Sequence, residues 1–198
     1  MKLFTQITPS LTRSASDVSL SAGKSDPYME AVTSGDMETA QKMVDDAAKA
    51  AGYVKVFRAS RNGAPHLIPR KGYQLTFSTR KQVADSYGEV EQDTKAFYIL
   101  DSEARDFPVD KNGWFSKFDF DDAVKSGLLY VARQGYDPGP LSSMKRDPEA
   151  LYSYPSDIYG TIHPEDHVKL SDPVTYDDQK NPIPLSKRFD KSHFDIRY

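Results

Sequence analysis

The histidines and the acids between them are the first side chains here whose types and spacing suggest chemistry. His163 and His167 lie four residues apart in IHPEDH with Glu165 and Asp166 between them, the spacing of a metal-ligating pair on one helix face. Pro164 intervenes, and a proline within a helix removes a hydrogen bond and clashes with the preceding turn. The expectation is therefore no metal site, with Glu165 and Asp166 turned to solvent. His66 and His193 stand in Pro-rich or tail sequence and read as surface residues. The chain has no cysteine, which excludes disulfides, thiolate nucleophiles and Cys-based zinc sites and agrees with a reducing cytosol. No GxxxxGK, GxGxxG or GxSxG pattern occurs, so kinase, Rossmann and hydrolase readings have no motif.

The elements that must position a site read as one domain with polar extensions. A chain of 198 residues, 38% hydrophobic and 12% aromatic, can bury one core. Its net charge of -3 gives no broad attraction to nucleic acid, leaving only a local patch from Lys145, Arg146, Lys187, Arg188 and Lys191. No stretch has the apolar length of a membrane span or a secretory signal. Residues 1–26 are Ser/Thr-rich and read as a flexible arm, 27–170 as the domain and 171–198, rich in proline and polar turns, as an extended tail packing on or leaving it. Pro27 after Asp26 starts a short helix that stops at Ser34-Gly35. Met37, Ala40, Met43, Val44, Ala47 and Ala51 form the inward stripe of a second, ended by Gly52. Period-two runs then place strands at YVKVF, YQLTF, KAFYIL, LLYVA and IYGTI. Short helices intervene at TRKQVADSYG, with Val83, Ala84 and Tyr87 inward, and at FDFDDAVKSG, and 133–157 is a long loop. The class is α+β.

Three stretches, in order, resemble the ADP-ribosyltransferase-like domain of phage and mobile-element polyvalent proteins. SGDMETAQKMVDDAAKAAGYVKVFRAS (34–60) is similar to the lead-in helix and first core strand, with Phe57, Arg58, Ala59 and Ser60 where relatives carry an aromatic–His–Gly–Thr motif. LTFSTRKQVADSYG (75–88) looks like the second motif, a strand ending in Phe-Ser/Thr that runs into a helix. Residues 156–198, SDIYGTIHPEDHVKLSDPVTYDDQKNPIPLSKRFDKSHFDIRY, resemble the closing segment nearly throughout.

The resemblance implies split, strongly curved β-sheets with peripheral helices that grip NAD, as substrate, in a cleft. Arg58 stands where one subgroup uses Arg to hold NAD, and a guanidinium can bind the pyrophosphate or ribose bidentately; a strand-end Arg in solvent is the bland alternative. Ala59 and Ser60 complete that motif. Ser78 and Thr79 can brace the cleft and the nicotinamide ribose or cap the next helix. Phe77 and Tyr87 can stack on nicotinamide or fill the core, with core favoured for Phe77. Asp157 matches the catalytic carboxylate, one carbon shorter than the Glu of active transferases. The implied activity is mono-ADP-ribosylation of a host macromolecule, a protein first, in the cytoplasm of a bacterial host, by a phage or prophage protein acting against defence or transcription. The alternatives are a degenerate fold kept for binding or inhibition, an NAD glycohydrolase, and transfer to nucleic acid.

Overall fold

The computed structural model describes residues 26–60, 64–69, 74–86, 93–111, 113–135 and 156–191. The proposed arm at 1–25, Tyr87, the interior of the long loop with Lys145 and Arg146, and His193 lie outside the described residues. Helix α1 (Pro27–Ser34) begins as the sequence expects: Asp26 accepts from the Tyr28 amide at 3.0 Å and Pro27 stands at the first turn. Gly35, at φ 80°, closes it in the left-handed region that a side chain would disfavour. Asp36 caps α2 (Met37–Ala50) by accepting from Thr39. The inward stripe of α2 is rotated from expectation. Ala40, Val44 and Ala48 are buried, whereas Met37 is 39% exposed, because the four-residue spacing of the small residues, not the methionines, faces the sheet.

The strands are β1 (Tyr53–Ala59), β2 (Leu75–Ser78), β3 (Thr94–Leu100), β4 (Arg105–Phe107), β5 (Tyr130–Gly135), β6 (Ser156–Thr161) and β7 (Val168–Leu170). Between them lie α3 (Lys81–Asp85), α4 (Lys117–Lys125) and α5 (Pro164–His167), and α6 (Leu185–Arg188) follows. The five expected strands are present; the three-residue β4 and β7 are too short to show a period. One further expectation is corrected. The loop assigned to 133–157 gives its two ends to strands, Arg133–Gly135 to β5 and Ser156–Asp157 to β6. The described part of the tail packs on the domain, one of the two alternatives: Tyr176 bridges to Pro182, Ile183 is buried, and Arg188 is 1% exposed, donating to the Leu170 and Pro173 carbonyls at 3.0 and 3.2 Å.

All seven strands form one sheet in the order β4-β5-β6-β2-β1-β3-β7, a mixed α+β architecture. It is one sheet where two were expected, but it is nearly divided. β1 and β2 share a single register pair, Phe57 with Ser78, whereas β1 and β3 pair along seven residues, Tyr53 with Leu100 through Ala59 with Thr94. The sheet cannot be flat. β3 and β4 are five strand positions apart, about 24 Å at the usual spacing. Only Asp101–Ala104 join them, and five residue steps reach at most about 17 Å. The sheet must curl to bring its ends together.

The inner face of that curl buries Val56, Leu75, Phe77, Phe97, Ile99, Leu129, Val131, Tyr159 and Val168, and no helix contributes to this cluster. Helices cover the outer face. α1 and α2 pack over Tyr53, Tyr98 and Leu100, with Phe189 from the closing segment against both tyrosines, while α3 and α4 pack over Ala132 and Ile158. Gly160 of β6 is required here, since a Cβ would stand 2.7 Å from Phe120 Cε1 and 3.0 Å from Val124 Cγ2 of α4, both fully buried. Gly160→Ala overpacks this contact and is expected to destabilise the fold by about 1–3 kcal/mol in denaturant titration. An unchanged midpoint would show that α4 moves freely over β6.

Candidate functional site

Sheet register gathers the candidate residues. Phe57, Ser78, Ile158 and Ala132 occupy one row across β1, β2, β6 and β5. On one side of this row Thr79, Asp157 and Arg133 follow one another across β2, β6 and β5; on its other side Arg58 lies opposite Phe77, which pairs with Tyr159. Side chains alternate between faces. Arg58 therefore shares the inner face with Val56, Asp157 shares it with Tyr159, and Arg133 shares it with Val131. Thr79, just past β2, ties into Asp157. Its amide donates to the Asp157 carbonyl at 3.1 Å, and its hydroxyl accepts from the Asp157 amide at 3.0 Å.

The other described sequence candidates take structural places. Ser78, 4% exposed, lies on the outer face, where its hydroxyl donates to Ser156 Oγ at 2.9 Å and accepts from the Arg80 amide at 3.0 Å. It braces β2 against β6, and α3 receives no side-chain cap. Ser60 is buried, bonded through its hydroxyl to the Ala64 carbonyl and through its amide to the Asp93 carbonyl, and Ala59 pairs with Thr94. Phe77 is core, 1% exposed and edge-on to Phe97 at 5.8 Å.

Arg58 sits where the ladder between β1 and β2 fails. Its Nε donates to the His66 carbonyl at 2.8 Å and its Nη1 to the Thr76 carbonyl of β2 at 2.9 Å, with the guanidinium carbon 5.8 Å from the Phe77 ring centre. A side chain thus crosses the gap that main-chain pairing leaves open. Two of its five donors are committed, and among the described residues no carboxylate forms an ion pair with it. Burial lowers its pKa to about 10, so it stays cationic at neutral pH. Lys95 is its register partner on β3. His66, expected on the surface, is half-buried beside Phe97, with its ring bonded to the Asp93 carbonyl. Burial lowers its pKa, the Asp93 carbonyl opposes that, and the charges of Lys95 and Arg58 lower it further.

Two strands away on the same face, the surroundings of Asp157 are acidic. Asp157 Oδ1 accepts from the Gln134 amide at 2.9 Å and Oδ2 from Arg133 Nη1 at 3.3 Å. Arg133 also reaches Asp101 at 2.7 Å, Asp106 at 2.9 Å and the Tyr159 hydroxyl at 3.2 Å, and that hydroxyl donates to Asp101. The bond to Asp101 raises the Arg133 pKa above its ordinary value. Burial and then Asp101 raise that of Tyr159. Sequence reasoning missed Arg133, Asp101 and Tyr159. The only trace is that the alternation of Leu129 and Val131 runs on to Arg133, past the assumed strand end.

Pro164 begins α5 instead of breaking a helix. His163 and His167 do not converge: His163 Nδ1 lies 3.1 Å from Glu165 Oε1, and His167 faces Glu103 at 4.0 Å. The potential ligand atoms of His163, Glu165 and Asp166 fall within 4.8 Å of one another, and Glu165 Oε2 is shielded from solvent instead of turned to it. No described helix is long and apolar enough to cross a membrane. No protein-family model, curated protein or solved structure matches the chain.

Asp101 makes this cluster sensitive to acid. Burial resists its ionisation, yet bonds from Arg133 and Tyr159 outweigh that and hold its pKa below 3.8. A carboxylate depressed in the fold stabilises above its unfolded value and loses that contribution as pH falls through the folded one. The stability difference between wild type and Asp101→Asn, under about 1 kcal/mol for so exposed a group, should be present at about pH 6 and shrink as the pH falls below about 4. Thermal melts across that range test it; a constant difference would show that the carboxylate's charge plays no part.

Proposed function

We propose that this chain is an ADP-ribosyltransferase-like protein that binds NAD on the inner face of the curled sheet and transfers ADP-ribose to a host macromolecule, a protein foremost. The observation that carries the reading is their placement: Arg58, Thr79 and Asp157, distant in sequence, share the inner face beside the near-break in the sheet, with Arg58 two residues along the strands from the Thr79–Asp157 pair. This agrees with the curved, divided sheet that the sequence resemblance implies.

The charge pattern suits the substrate. NAD has an anionic pyrophosphate and a cationic nicotinamide ring. Arg58, with Lys95 beside it, forms a cationic end lacking a described carboxylate partner, and Asp157 with Asp101 and Asp106 forms an acidic end. Asp157 and Arg58 are two strands apart and two residues apart along the strands, roughly 12 Å at ordinary sheet spacings. In this reading the pyrophosphate takes Arg58's remaining donors and the nicotinamide ribose lies by Thr79 and Asp157. When the bond from ribose C1′ to the nicotinamide nitrogen breaks, its electron pair leaves with nicotinamide, and the Asp157 carboxylate stabilises the positive charge left on the ribose. The acceptor's lone pair then bonds to C1′. Phage or prophage origin and action on host defence or transcription come with the resemblance alone.

A second reading has a specific observation in its favour. Both Asp157 oxygens already accept bonds from the chain, and Arg58 holds two carbonyls, as in a fold that keeps the architecture and binds without turnover.

Incubation with labelled NAD and bacterial lysate, read by mass spectrometry with nicotinamide release followed in parallel, separates these readings. Asp157→Asn is expected to lower nicotinamide release roughly 100-fold without unfolding the protein, and Arg58→Lys to weaken NAD binding at least about tenfold through loss of the guanidinium fork. Full turnover in Asp157→Asn would remove that residue from the mechanism. Free ADP-ribose without a labelled acceptor would make the protein a glycohydrolase, and no heat at millimolar NAD would leave the binding protein.

A further inference from the structure

We infer that Arg133 is the positioning residue of Asp157, with Asp101 as its anchor and the β5 bulge as its brace. The inference rests on the reading of Asp157 as the acid that faces the ribose, and it deepens that reading.

Four observations converge on this carboxylate. Arg133 Nη1 stands 3.3 Å from Asp157 Oδ2 but 2.7 Å from Asp101, and Nε stands 2.9 Å from Asp106. The guanidinium is thus fixed by its other partners and presented to Asp157. The second oxygen is held from the main chain, where the Gln134 amide donates to Oδ1 at 2.9 Å. That amide is aimed by an irregularity: the β5–β6 register shifts between Ala132 and Gly135, and Gln134 adopts φ 52°, a left-handed conformation that residues with a Cβ rarely take. Finally, Thr79 fixes the Asp157 backbone from the β2 side through two hydrogen bonds. Backbone, both carboxylate oxygens and the donor to each are all set.

A surface ion-pair network would explain the three carboxylates around Arg133, but it gives no reason for the conformation of Gln134. Aiming one N–H at Asp157 Oδ1 does give one. Nor does Arg133 cancel the acid. One guanidinium serves Asp101, Asp106 and Asp157, so the group carries one positive and three negative charges. Asp157 is held in direction while the cluster stays anionic, as a group that stabilises a developing cation requires.

The test has one readout that needs no NAD and one that does. In ¹H–¹⁵N spectra of the full chain, the Gln134 amide proton is expected downfield through its bond to a charged acceptor. Asp157→Asn should move it upfield, Arg133→Met should move it in the same direction, and Arg133→Lys should recover part of the displacement. If Arg133→Met does not fold, Asp101→Asn, which removes the anchor and leaves the guanidinium, should shift the same signal to a smaller extent. A Gln134 signal unmoved in the folded variants overturns the inference whatever the protein's activity. With NAD, Arg133→Met is expected to lower kcat for nicotinamide release at least about tenfold while KM stays within about twofold, the pattern of an interaction made chiefly in the transition state. A rise in KM matching the fall in kcat, or no change in either, overturns it. A wild-type protein that neither binds NAD nor releases nicotinamide sinks the proposed function, and the Gln134 signal still decides the positioning.

Discussion

The four-residue connection from β3 to β4 constrains everything else. A chain that leaves β3, second from one edge of the sheet, and enters β4 at the other through Asp101–Ala104 alone can do so only if the sheet curls until its ends meet. The curl lets the sheet shield its own inner face, which explains a nine-residue cluster with no helix in it and leaves α1 to α4 for the outer face. It also carries Asp101, which follows β3, to Tyr159 and Arg133 on β6 and β5. The acidic cluster is therefore a product of topology, and no local motif encodes it.

Where a sheet curls this tightly, one ladder must give way, and here it is the one between β1 and β2. The loss is limited because Arg58 spans the gap, donating to a β2 carbonyl and to the His66 carbonyl, so main-chain groups that would go unpaired gain charge-assisted bonds. The same choice leaves a desolvated cation at the parting with no described carboxylate beside it. Bridging the gap and favouring an anion there are two results of one substitution of side chain for main chain.

The elements were legible in the sequence and their arrangement was not. Asp26, Pro27 and Gly35 mark α1 by local chemistry, and the period-two runs mark five strands, because capping and alternation are written within a few residues. Arg58, Thr79 and Asp157 were found through motif resemblance, and register then placed them on one face of the sheet, with Thr79 directly beside Asp157. Arg133 was hidden because the Gly/Pro-rich run that follows it resembles a loop from its first residue, and the irregularity near Gln134 has no sequence sign when the residue is not glycine. Asp101 was hidden for a different reason: its partners are 32, 56 and 58 residues away, at Arg133, Asp157 (through that arginine) and Tyr159. Ser78 shows the opposite failure. A hydroxyl at the right place in a motif was assigned to the cleft, but one residue of alternation puts it on the other face.

The acidic cluster adds little to stability, and that narrows what it is for. Its ion pairs join side chains that are 25% to 76% exposed, and pairs of this kind contribute well under about 1 kcal/mol each. Holding Gln134 in a left-handed conformation costs about 1 kcal/mol or more. An arrangement that gains so little from its charges and gives some of it back through the backbone is poorly explained as reinforcement. It is better explained as orientation: the bulge and the arginine cooperate to fix a carboxylate that the fold alone would leave free to rotate, on the same face of the sheet as the Arg58 guanidinium.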